Sequence, residues 1–127
     1  MQYPEFIHEA REQLGVSSEQ EVLDITRAFL HTLTDHLAGN AADNLGAQLP
    51  APLLDIIREI RPEERDQGQR FDLTEFYQRI AKRLGVDDAT GERYTNQFAG
   101  IFKRMITDGE LQKLISTLPA NFAPLLG

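Results

Sequence analysis

The chain has 127 residues, 41% hydrophobic and 26% charged, with 20 acidic side chains against 13 basic ones and a net charge of −7. These are the proportions of a folded globular domain rather than a disordered chain, and the length allows one domain that buries roughly two-thirds of its unfolded surface. A negative surface opposes a polyanionic duplex, so nucleic-acid binding would need a segregated basic patch, while the absence of cysteine removes disulfides, thiolate metal sites and thiol nucleophiles.

The N-terminus enters an amphipathic pattern at once, without the basic start and apolar run of a secretory signal. No stretch approaches the roughly 18 apolar residues of a membrane span. The expected protein is soluble and cytoplasmic.

Pro4 suits a first helical turn, where its missing N–H costs nothing. Phe6, Ile7, Ala10 and Leu14 follow at helical spacing, and Gly15 is placed to stop the helix. Ser18 and Glu21 have the spacing of a capping box, opening a second helix with Val22, Ile25, Phe29, Leu33 and Leu37 on one face. Gly39-Asn40 ends it. A short amphipathic stretch carries Leu45 and Leu49, and Pro50 or Pro52 opens a final short helix with Leu53, Leu54 and Ile57.

The same grammar then returns. Glu5-Phe6 and Leu14-Gly15-Val16 reappear as Glu75-Phe76 and Leu84-Gly85-Val86 at an offset of 70; Leu49-Pro50 reappears as Leu118-Pro119 at an offset of 69. One residue is thus lost in the loop after Gly85. With that gap, Ile25, Phe29, Leu33 and Leu37 align with Tyr94, Phe98, Phe102 and Ile106; Leu45, Leu49, Leu53 and Ile57 align with Leu114, Leu118, Phe122 and Leu126. Apolar matches apolar at all eight positions. The expected architecture is therefore all-α: a tandem duplication of a four-helix unit, with repeat one at 3–58, a polar connector at 59–70 and repeat two at 71–127, packed as one pseudo-two-fold domain.

The acidic–aromatic start, the Leu-Gly-Val stop and the Gln48-Leu49-Pro50 triplet, repeated along essentially the whole chain, resemble the bacterial family catalogued as domain of unknown function 2267. The resemblance implies an all-helical bacterial protein and carries over no catalytic residue, cofactor or partner. Two departures stand out. Gly91 sits where Val22 would be expected, which predicts a looser start to the sixth helix, and Thr117 replaces the glutamine of Gln48-Leu49-Pro50.

Few residues are spaced for chemistry. His31 and His36 are five residues apart, not at the i, i+4 spacing of a helical metal pair. Asp24, His31 and Asp35 share a helix face, which reads as a solvated stripe before it reads as a metal or proton-handling site. Glu5, Glu9 and Glu12 with His8 make an acidic ridge that the helix dipole accounts for without catalysis. The segments Val86–Glu92 and Asp108–Glu110 lack the alternating oxygen ligands of a calcium loop. Neither phosphate-loop nor nucleophile-elbow signatures occur. No cofactor or metal is expected, and the chain is not read as an enzyme.

Arg58, Arg61, Arg65 and Arg70 gather positive charge in and beside the connector, interleaved with Glu59, Glu63, Glu64 and Asp66. They are the weak candidates for partner or anion contact. Arg93, Lys103 and Arg104 form a smaller patch beside Tyr94, Phe98 and Phe102, whose spacing assigns them to the core. Gly100, in mid-helix, is expected to face the other unit or a second subunit. The leading expectation is a protein–protein interaction or self-associating module, binding neither nucleic acid nor membrane. The alternative is a small-molecule binder using the groove between the repeats.

Overall fold

The computed structural model describes residues 1–61, 63–64 and 68–127; Pro62, Arg65, Asp66 and Gln67 of the connector lie outside the described residues. The architecture is all-α. Helices α1 (Tyr3–Leu14), α2 (Glu19–His36), α3 (Ala41–Gly46), α4 (Ala51–Arg58), α5 (Leu73–Leu84), α6 (Asp88–Met105) and α7 (Asp108–Thr117) are followed by a 3₁₀ turn (Ala120–Phe122) and α8 (Ala123–Leu126).

Local chemistry explains the boundaries. Ser18 Oγ accepts the Glu21 backbone N–H at 3.1 Å and donates to the Glu21 carboxylate at 3.1 Å, satisfying an otherwise orphaned amide at the start of α2. Asp72, Asp87 and Thr107 cap α5, α6 and α7 by accepting from Glu75, Thr90 and Glu110 at 2.9, 2.8 and 3.1 Å. The chain leaves α1 and α5 through Gly15 and Gly85 in the left-handed region, φ 68° and 70°, where a Cβ would meet its own carbonyl.

Two 18-residue helices, α2 and α6, pack at the centre. The shorter helices dock crosswise: α1 lies on α6, α5 lies on α2, and α4 runs along α2. Aromatic rings mark each crossing. Phe6 on α1 meets Phe98 on α6 edge-on (6.2 Å, 84°), Phe76 on α5 meets Phe29 on α2 edge-on (5.7 Å, 83°), and Phe29 and Phe98 contact each other at 4.7 Å. Offset edge-to-face pairs suit the ring quadrupoles. Of the sixteen aligned apolar positions, all are buried in one continuous core except Tyr94, which is half-buried against it.

Two glycine expectations are corrected. Gly91 does not loosen the start of α6. A Cβ there would stand 2.5 Å from Ala81 Cβ and 2.9 Å from Ala81 Cα, so the missing side chain lets α6 close tightly on α5. Gly100 faces no other element of the chain: it is exposed and has nothing among the described residues within 4 Å of a built Cβ, so the correction concerns the other unit and not a second subunit. Within the chain its cost is uncompensated helix propensity. Gly100→Ala is expected to stabilise the fold by about 1 kcal/mol. Gly91→Ala is expected to destabilise it by about 1–3 kcal/mol, because the contact is with backbone that cannot rotate aside. Chemical denaturation of the two variants side by side checks both signs.

Candidate functional site

The connector does not run free of the helices where it is described. Its end returns to the C-terminus of α2, with the Gly68 and Gln69 amides donating to the Leu37 and Asp35 carbonyls, each at 2.8 Å. Those carbonyls would otherwise lack partners at a helix end. This landing buries Phe71 and brings Gln69 beside α5.

Asp35 is the hub of the resulting seam between α2 and α5. Its Oδ2 accepts from Arg79 Nη1 at 3.1 Å and Arg83 Nη1 at 3.2 Å, and only 13% of its side chain is exposed. Arg79 also donates to Gln69 Oε1 at 3.1 Å, pairs with Glu75 one turn back, and stacks its guanidinium 3.7 Å above the Phe71 ring. Arg83 reaches Thr32, whose own hydroxyl donates to the Ala28 carbonyl at 2.7 Å. Asp35, Gln69, Arg79, Lys82 and Arg83 line an open cleft of about 570 Å³ with three cationic side chains against one carboxylate.

Arg83 also borders a second cleft of about 440 Å³ with Asp24, Arg27, Ala28, His31 and Leu84. Here Arg27 clamps Glu59 through two bonds of 2.8 and 3.1 Å, which hold the Glu59 carboxyl below its usual range. His31 Nε2–H donates to the Ile56 carbonyl at 2.9 Å and lies 3.3 Å from Glu59. Desolvation lowers the His31 pKa. The stripe Asp24, His31 and Asp35 thus lines the α2 wall of these adjoining clefts, but no group of three or more His, Asp or Glu among the described residues is placed to hold a metal ion.

The connector arginines are not brought together. Arg58 is exposed at the end of α4, Arg61 is exposed and paired with Glu64 at 2.7 Å, Arg70 is exposed ahead of α5, and Arg65 lies outside the described residues. On the acidic ridge, His8 lies 3.4 Å from Glu12, and Glu9 bonds Arg104 of α6. Gln48 accepts from the Thr107 backbone amide at 3.0 Å, tying the end of α3 to the start of α7. Sequence reasoning missed Arg79, Lys82 and Arg83; their spacing on one turn of α5 was the available signal.

His36, at the end of α2, is 6% exposed and stacks on Phe71 at 3.7 Å, with Phe122 edge-on at 4.9 Å. Its ring bonds the Gln69 backbone, while Nε2 is buried without a hydrogen-bond partner among the described residues. Burial among these rings pushes its pKa down to about 4. Between that value and the ordinary 6.5 the unfolded chain binds the extra proton, so stability is full above pH 6.5 and falls as pH drops toward 4. The expected loss from His36 is at most roughly 3 kcal/mol. His31 acts in the same direction, so His36→Leu should reduce, not abolish, the slope of unfolding free energy against pH over that window, measured by urea titrations.

No curated protein matches the chain. A family model, described as an uncharacterized conserved protein family (DUF2267), matches residues 3–125. That match spans all of the helices but the last residue of α8, and the chain belongs to this family.

Proposed function

We propose that the protein is a non-catalytic helical interaction module, built from two like halves (3–58 and 71–127) paired about a pseudo-two-fold axis, whose α2/α5 cleft receives an acidic surface of a partner protein. The observation that carries this reading is a cation-rich cleft in a chain of net charge −7. Such a chain repels acidic partners over most of its surface and attracts them at that cleft, which favours one docking orientation. Arg79 and Arg83 are held by Asp35, Gln69 and Thr32, so little side-chain entropy is lost when a partner arrives. Ion-paired guanidiniums suit docking better than proton transfer. A cytoplasmic location fits a cysteine-free chain, and the net charge weighs against nucleic acid.

The test uses Gln78 and Lys82, both exposed and four residues apart on α5. Immobilised wild type should enrich a defined partner that salt elutes, and Gln78→Glu with Lys82→Glu should lose it while keeping the wild-type Tm. Equal capture of that partner by both proteins would falsify the reading.

A second reading has its own observation. Between α3 and α7, Leu37, Leu45 and Leu114 floor a groove of about 220 Å³ rimmed by Asn40, Asn44, Glu110 and Lys113. An apolar floor with a polar rim suits a small molecule. A metabolite that raises Tm, with the rise lost in Leu45→Ala, would favour it over protein docking.

A further inference from the structure

The two seams that join the halves carry ion pairs at corresponding places. In the α2/α5 seam Asp35 pairs with Arg79; in the α1/α6 seam Glu9 pairs with Arg104. By the offsets of 70 and 69, Glu9 occupies the place of Arg79 and Asp35 occupies the place of Arg104. Both acids come from the first half and both arginines from the second.

The four phenylalanines at the centre of the seams do not distinguish the halves. Phe6 corresponds to Phe76 and Phe29 to Phe98, so the same residue type stands at both places in both halves. Two first halves from separate chains could therefore meet through the same edge-on phenylalanine contacts seen within one chain. Their charges would not match: Glu9 of one would face Asp35 of the other. Two second halves would set Arg79 against Arg104. The wider charge distribution agrees, since residues 1–58 carry nine acidic and three basic side chains whereas residues 71–127 carry seven of each.

We propose that the Asp35–Arg79 and Glu9–Arg104 pairs are a recognition code by which a first half accepts a second half and rejects another first half, so that chains do not join through like halves. The proposal rests on the reading of the chain as two like halves. The connector already favours pairing within the chain by raising local concentration. The code extends that preference to conditions where chains are crowded or refolding together. It works by penalising the wrong partner, because the phenylalanine contacts reward both partners alike.

Charge exchange in one seam separates the code from the mere presence of ion pairs. In E9R/R104E the ion pair within the chain is kept with its sign reversed, but a first half now offers Arg at 9 and Asp at 35, and like halves attract. Adding D35R/R79D reverses the second ion pair also, at the cost of a positive charge set beside Arg83 and a negative one beside Glu75, and, where this variant keeps the wild-type helicity, restores the rejection of like by like. Glu9 and Arg104 lie at the periphery, with 22% and 52% of their side chains exposed, so the first exchange leaves the core intact.

The proteins are refolded at high concentration and low salt, and their masses read by size exclusion with light scattering. E9R/R104E should shift from the wild-type mass toward twice that mass and return to it in high salt, while the four-fold variant should keep the wild-type mass. In a mixture of isotope-labelled and unlabelled chains, carboxylate cross-links should join α1 of one chain to α2 of another. An unchanged mass for E9R/R104E at every concentration overturns the code. A dimer cross-linked elsewhere overturns both the code and the like-halves reading, and neither result bears on the α2/α5 docking test, which uses other residues. Should E9R/R104E fail to fold, E9Q/R104Q decides: partial dimerisation supports the proposal, and the wild-type mass at all concentrations overturns it.

Discussion

Everything in this fold is referred to the contact between Phe29 and Phe98, where the two long central helices meet at a ring separation of 4.7 Å. Neither helix can shift without pulling on the outer helix locked to it, because Phe76 sits edge-on to the first ring and Phe6 to the second. Close-packed interiors do not deform smoothly. The four rings therefore fix the separation of α2 from α5 and of α1 from α6, and with it the distance across which the polar side chains of each seam must reach.

Around that apolar centre the polar groups are arranged by reach and by burial. Asp35 is too enclosed to stand alone, and two arginines from α5 answer its charge. The arginines in turn give further donors to Gln69, Glu75 and Thr32, so the seam is a network and not a single bridge. His36 is the exception within reach of the same network. Its Nε2 is buried with no partner among the described residues, and the surrounding phenylalanines give that side of the ring stacking instead.

What was legible in the sequence is what depends on neighbours in the chain. The caps Ser18 and Asp72, the stops Gly15 and Gly85 and the apolar stripes all follow from residues within a few positions of one another. The second buried face of α2 was hidden because Thr26, Thr32 and Thr34 look polar. Their hydroxyls bond backbone carbonyls one turn earlier, which removes the cost of burying them. The close approach expected at Gly100 is made within the chain at Gly91, because Ala81, ten residues back on another helix, stands against it. The candidate cleft joins Asp35 to Arg79 and Arg83 across 44 and 48 residues, and Gln48 reaches Thr107 across 59. Contacts of that range leave no periodic trace.

The crosswise docking also orders events during synthesis. Phe6 finds its ring partner on a helix that begins 82 residues later, at Asp88. Until α6 has left the ribosome, α1 can lie only against α2, and much of its apolar face has nowhere to go. Closing so long a loop is entropically costly and slow compared with forming the adjacent α5 and α6 pair. Helix α1, made before α6, is thus among the last to be buried, and until α6 follows, the nascent chain leaves uncovered an amphipathic segment headed by Phe6 and Ile7.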